Sequence, residues 1–157
     1  MSKAPSSLVT ILSGGLLAGT IDIGAAALIN QASVPVILQA IASGVLGKAS
    51  FQRGASAATL GLFLQWGMSL LIAAIFVYAS LKIPALRRRW VKAGLAYGVV
   101  VYLVMNYLVL PLSAVGHIPH FNMVRFLENL LAMLLFGLII AFFARDRVDP
   151  EAVAVTT

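Results

Sequence analysis

Five polar side chains interrupt the apolar stretches of this sequence, and their chemistry could serve a function: Asp22, Gln65, Asn106, Arg125 and Glu128. Ionisable residues inside membrane segments are rare and usually face the protein interior or a water-filled cavity. Asp22 and Glu128 could carry protons or bind a cation, with Gln65 and Asn106 orienting them. One hypothesis is therefore a proton relay or a binding site.

A structural explanation competes with the relay. The same groups could form a hydrogen-bonded network that fixes which helices meet, although interhelical hydrogen bonds contribute only about 0.6 kcal/mol on average. Arg125 and Glu128, three residues apart, could also simply pair on one helix. Both interpretations remain open at the level of sequence.

The elements that must position these residues are transmembrane helices. The chain has 157 residues, of which 61% are hydrophobic and 10% charged, against roughly 25% charged in soluble domains. So small a chain cannot bury that much apolar surface against itself. Four segments of about 20 apolar residues predict membrane spans at 8–29, 57–79, 91–115 and 123–144.

We therefore expect an all-α fold, a four-helix transmembrane bundle forming one domain over residues 1–147. The apolar run 35–47 is too short to cross a bilayer and predicts an interfacial or re-entrant helix. Residues 148–157 are predicted to be a disordered cytoplasmic tail. On these spans the polar residues of all four helices fall roughly 8–14 Å below their outer ends, which predicts one polar layer.

Basic residues predict the orientation, because Lys and Arg favour cytoplasmic loops. Eight of the eleven fall on one side of the predicted bundle: Lys3, Lys82, Arg87, Arg88, Arg89, Lys92, Arg145 and Arg147. Both termini should then be cytoplasmic. The expected partners of the 87–89 loop are anionic lipid headgroups, and nucleic acid is not expected. A cleaved signal peptide ending near residues 25–27 is the competing interpretation of the first span, disfavoured by its length and by Asp22.

Two pairs of glycines predict close helix packing. Gly15 and Gly19 lie four apart in the first span, as do Gly94 and Gly98 in the third. We expect these two faces to pack together. Asp22 lies about 20° from Gly15 and about 60° from Gly19 around the helix, so it should face other helices and not lipid.

Further chemistry is sparse. The sequence has no cysteine, which excludes disulfides and thiolate ligands, and no motif of a nucleotide-binding loop or an esterase nucleophile. His117 and His120 resemble an incomplete metal site in the third loop, so no metal and no cofactor are expected. Pro111 should kink or end the third span.

Several stretches resemble a family of small, uncharacterised four-span bacterial inner-membrane proteins. The resemblance rests on GLLAGTIDI, VPVILQAIASGVLGKASFQRG and MNYLVLPLS, and it covers most of residues 14–115. It implies a four-span fold in a bacterial inner membrane and no assigned activity. It also implies histidines at the positions of Gln65 and near Ala132, which this chain lacks, so a metal or haem role does not carry over.

These observations predict a non-enzymatic integral membrane protein, an accessory or self-associating subunit of a homo-oligomer or a larger membrane complex. The alternative is a small oligomeric transporter or channel, proton-linked through Asp22 and Glu128. A lipid-modifying enzyme is the least favoured hypothesis, since no catalytic constellation is present.

Overall fold

The computed structural model describes residues 6–116 and 122–145, and all regular structure within these ranges is helical. The main helices are α1 (Ser7–Asn30), α2 (Val34–Leu46), α3 (Gly54–Lys82), α5 (Trp90–Val104) and α7 (Met123–Arg145). Shorter elements connect them: a 3-10 helix (Gly47–Gln52), α4 (Pro84–Arg88), a π-helical turn (Met105–Val109) and α6 (Leu110–Leu112). The predicted tail and the two histidines lie outside the described residues.

The all-helical prediction is confirmed for the described chain. Five helical stretches are long and apolar enough to cross a membrane, which is compatible with a multi-pass membrane protein. Four correspond to the predicted spans, at Ser7–Asn30, Gly54–Lys82, Trp90–Leu112 and Met123–Ala144. The fifth is Val34–Gln52, in which a 3-10 helix extends the segment that we expected to be short.

Local sequence explains the first helix ends. The Ser6 side chain accepts a hydrogen bond from the Val9 N–H (3.3 Å) and caps the start of α1. Gln31 ends α1 in the left-handed conformation (φ 49°), and its N–H reaches the Leu28 carbonyl. Pro35 sits in the first turn of α2, where its missing N–H costs nothing, and Gly47 ends α2 at φ +60°.

Contacts between the long helices show that neighbouring helices run antiparallel. Asp22 and Gly15 of α1 meet Gln65 and Leu70 of α3, so the numbering rises along one helix as it falls along the other. Gly14 of α1 similarly lies against Phe143 of α7.

The same holds for α5 and α7, where Gly94 lies against Ala141 and Gly98 against Leu134. One end of the bundle therefore holds the start of α1, α4 and the end of α7, and we call it the basic end. The opposite end holds α2 and the starts of α3 and α7, and we call it the α2 end.

The glycine pairs approach different helices from the one predicted. Gly15 and Gly19 lie against Leu70 and Ser69 of α3. Gly94 and Gly98 lie against α7, where Gly137 completes the contact from the other side. The expectation that the two glycine faces meet each other is therefore wrong. Each glycine face packs on a different helix: that of α1 packs on α3, and that of α5 packs on α7.

Helix α2 packs on the first half of α3. The Leu38 carbonyl lies where a side chain on Gly61 would be, so the two backbones come close together. The Gln39 amide donates to the Gly54 carbonyl (3.1 Å), and the Ala114 N–H donates to the Gly44 carbonyl (2.8 Å). Thus α2 joins the start of α3 to the chain that follows α6.

The buried core is divided between the two ends. The larger cluster lies toward the basic end and draws on α1, α3 and α7: Ile11, Ala18, Ala73, Phe76, Val77, Phe136, Ile140, Ala141 and Ala144. The smaller one, Ile23, Ile37 and Leu38, joins α1 to α2 at the α2 end. The predicted polar residues lie nearer this second, thinner core.

Candidate functional site

The structure brings Asp22 and Gln65 together. The Gln65 amide Nε2 donates a hydrogen bond of 2.8 Å to the Asp22 carboxylate across the α1–α3 interface. Both side chains are half-buried. A buried carboxylate requires hydrogen-bond partners, and the facing helix supplies one here.

Further polar contacts on this interface were not predicted. The Ser69 side chain lies against Gly19, one turn beyond Gln65. The Trp66 indole donates to the Thr20 hydroxyl (3.3 Å), which in turn donates to the Leu16 carbonyl (2.7 Å). One feature of the sequence could have indicated the contact of Trp66. This residue follows Gln65, and a tryptophan N–H needs a hydrogen-bond acceptor when it is not in water.

The other three predicted residues do not contact the Asp22–Gln65 pair through hydrogen bonds between described residues. Asn106 donates to the Tyr102 carbonyl of its own helix (3.0 Å). The half-buried Glu128 forms neither a hydrogen bond nor an ion pair with any described residue, its neighbour Arg125 included.

Arg125 joins the end of α1 to the start of α7. Its guanidinium donates to the Ile29 carbonyl (2.6 Å) and to the Asn30 side-chain oxygen (3.0 Å). Carbonyls in the last turn of a helix lack intrahelical partners, and this end of the helix dipole favours a cation. Arg125 therefore works as a cap supplied by another helix, which spacing along the sequence could not reveal.

An open cleft of about 510 Å³ lies at the α2 end. One wall is α3, with Leu64, Gln65 and Met68, and the opposite wall runs from Met105 to Val115. Residues of α2 between Ile37 and Val45 also line it. Its surface is mainly apolar, and its volume is within the roughly 300–1,000 Å³ usual for small-molecule sites.

The π-helical turn shapes one wall of this cleft. It covers Met105–Val109, and the Leu110 N–H bonds to the Met105 carbonyl five residues back. Pro111, predicted to kink or end this helix, lies in α6, which ends at Leu112. Proline removes a backbone donor and clashes with the preceding turn, so a wider turn just before it relieves that clash.

A small void of about 30 Å³ lies behind the cleft. Asp22, Ser69 and Phe136 are among its lining residues. Three further side chains, Gln65, Met68 and Met105, line both the void and the cleft. The void has room for about one or two water molecules. The void that Asp22 lines therefore adjoins the cleft through these three shared side chains.

The surfaces of the cleft and of the void are mostly apolar. Within the described residues no three His, Cys, Asp or Glu side chains are grouped to hold a metal ion. What the site offers is an apolar cavity with a few amide and hydroxyl groups, and one carboxylate behind it.

The chain matches no family model, no curated protein and no solved structure. The functional inference therefore comes from the residues and contacts themselves.

Proposed function

We propose that this chain is a non-enzymatic integral membrane protein, an accessory or self-associating subunit that holds an amphipathic small molecule in the cleft at the α2 end. The observation that carries the proposal is the cleft itself, about 510 Å³ in volume, between α3 and the segment Met105–Val115. An apolar cavity with a few convergent polar groups is the usual form of a ligand site.

We propose four spans, with α2 lying at the interface. Because α1 and α3 are antiparallel, the chain between them must leave and re-enter the bundle at the same end. A crossing by α2 would instead make α1 and α3 parallel.

We propose that the basic end faces the cytoplasm of a bacterial cell and that the protein resides in the inner membrane. Lys82, Arg87–Arg89, Lys92 and Arg145 all belong to this end, which supports the orientation through the positive-inside rule. The 87–89 segment would contact anionic headgroups. The bacterial inner membrane is supported by the family resemblance alone.

Native mass spectrometry of the full chain, released from lipid nanodiscs, tests the proposal. We expect a retained small-molecule mass on each protomer, together with a dimer, a higher oligomer or a second chain. A bare monomer under conditions that preserve known membrane complexes would contradict both parts.

Proton-linked transport is the second candidate, and the observation that favours it is the void between Asp22 and the cleft. Glu128 supports it less, because it does not contact Asp22. In liposomes carrying a pH-sensitive dye, Asp22→Asn should stop ligand-driven proton movement, whereas Glu128→Gln should not. Absence of proton movement in the wild type would leave the Asp22–Gln65 pair as a packing device.

A further inference from the structure

Among the described residues, those that line the cleft at the α2 end include no charged side chain. Sixteen of them line it, and the polar ones are Asn30, Gln65, Ser113 and Asn129, all of them neutral. A charged group that leaves water is costly unless a counter-charge meets it. The composition of the walls therefore bears on the charge of the occupant.

Two of these four side chains already have their hydrogen bonds within the protein. Ser113 donates to the Leu110 carbonyl (2.7 Å) and accepts from the Val115 N–H (3.2 Å). Asn30 donates to the Ala26 carbonyl (2.8 Å) and accepts from Arg125 (3.0 Å). Neither can give a ligand its full hydrogen-bonding capacity.

The other two retain unused groups. Gln65 uses one N–H for Asp22, and Asn129 uses one N–H for the Arg125 carbonyl (2.7 Å). A side-chain amide has two N–H donors and a carbonyl acceptor. Within the described chain, each of these amides thus keeps one donor and its carbonyl oxygen for an occupant of the cleft.

Two charged groups close to the cleft already have partners within the protein. The Asp22 carboxylate lies behind Gln65 and accepts its hydrogen bond, and the Arg125 guanidinium is directed to the end of α1. Neither belongs to the cleft lining, so a phosphate or carboxylate that entered would lose water without gaining an opposite charge.

We infer that the cleft binds an uncharged single-chain amphiphile, whose hydroxyl or carbonyl head bonds to the amides of Gln65 and Asn129. The inference rests on the proposed function, and it adds the chemical class of the ligand. The apolar chain lies between Met68 and Met105, whose flexible thioether side chains fit irregular shapes.

Photo-crosslinking of the full chain in liposomes tests this class. The probes are a diazirine-bearing monoacylglycerol and a lysophosphatidylglycerol with the same diazirine chain, which differ by one anionic phosphoglycerol group. We expect the neutral probe to label peptides that contain Met68 or Met105 at least about tenfold more, the ratio that a 1.4 kcal/mol preference gives. Unlabelled monoacylglycerol should compete.

A blocking variant and a matched control separate site labelling from background. Ala40 lines the cleft and is exposed, so Ala40→Trp should fill the opening and reduce labelling at least about fivefold. Ala55 is also exposed but lies outside the lining, so Ala55→Trp should label like the wild type. Asn129→Leu, at another exposed position, should weaken labelling about three- to tenfold, the worth of one hydrogen bond.

The outcomes separate the two proposals. Equal, competable labelling by both probes would overturn the uncharged class and leave the binding cleft standing. Labelling that is unchanged in Ala40→Trp, or absent from the cleft peptides with both probes, would overturn both proposals.

Discussion

The two halves of this bundle are built differently. Toward the basic end the backbones of α5 and α7 lie close together, where Gly94 and Gly98 face Gly137. Toward the α2 end, α3 and the π-helical turn stand apart, and a cleft of about 510 Å³ remains between them. The bundle is therefore closely packed toward one end and contains open space toward the other.

This difference in packing indicates that the two halves contribute differently to stability and to binding. The nine-residue core and the glycine contacts make the basic half the more closely packed part of the described chain. The α2 half has three core residues and holds the Asp22–Gln65 pair, the cleft and the π-helical turn. Substitutions should therefore cost more stability in the first half and alter binding in the second.

The largest expected effect is a substitution in the close-packed half. Gly98→Ala places a Cβ against the Met133 carbonyl and the Leu134 backbone, which cannot move as a flexible side chain would. We expect a loss of about 2–3 kcal/mol in unfolding free energy, measured by denaturant titration in detergent micelles. A Cβ on Gly67 meets no atom within 4 Å, so Gly67→Ala should be neutral or slightly stabilising. Equal losses in the two variants would contradict the contrast between the halves.

Removing the cap between α7 and α1 should have the next largest effect. Arg125→Met leaves the Ile29 carbonyl without its charged donor. Hydrogen–deuterium exchange should then show faster exchange in the last turn of α1, and stability should fall by about 1–2 kcal/mol. Arg53→Met, an exposed cation at the same end, is the control and should change neither quantity.

Tyr97 tests how α3 and α5 are held together beside the larger core. Its hydroxyl donates to the Ile72 carbonyl (2.7 Å), and its ring lies 5.0 Å from that of Phe76. Tyr97→Phe keeps the ring contact and removes the hydrogen bond, so we expect a loss of about 1 kcal/mol in the same denaturant titration. A loss as large as that of Gly98→Ala would mean that this single bond, and not backbone proximity, holds the bundle together.

The smallest expected effect is on the Asp22–Gln65 pair. A double-mutant cycle with Asp22→Ala and Gln65→Leu should give a coupling energy of about 0.6 kcal/mol, the average for interhelical hydrogen bonds in membranes. Asp22→Asn should retain most of the stability, since an amide can still accept from Gln65. A coupling above about 2 kcal/mol would show that the open half depends on this pair far more than we infer.

The features that were predicted correctly depend on patterns within a single helix. Long apolar runs indicated helices close to the observed Ser7–Asn30 and Met123–Arg145, because length and hydropathy are local properties. The position of Asp22 beside Gly15 and Gly19 placed it on a face that meets another helix, and the structure shows that helix to be α3.

What sequence could not supply depended on distant contacts. Nothing near Arg125 indicates that it reaches the end of α1, 96 residues away. The cleft depends on α2 packing through Gly61 and on a π-helical turn before Pro111, neither of which spacing predicts. The helix predicted at 35–47 is close to the observed α2 (Val34–Leu46), but the 3-10 helix that continues the segment to Gln52 was not predicted.

The antiparallel order of α1, α3, α5 and α7 places Ser7 and Arg145 at one end of the bundle. A second copy can therefore be fused after the first through a short linker, with no extra crossing and with both copies in the same orientation. Tandem fusions of one wild-type copy and one altered copy would then show how many intact sites an assembly needs.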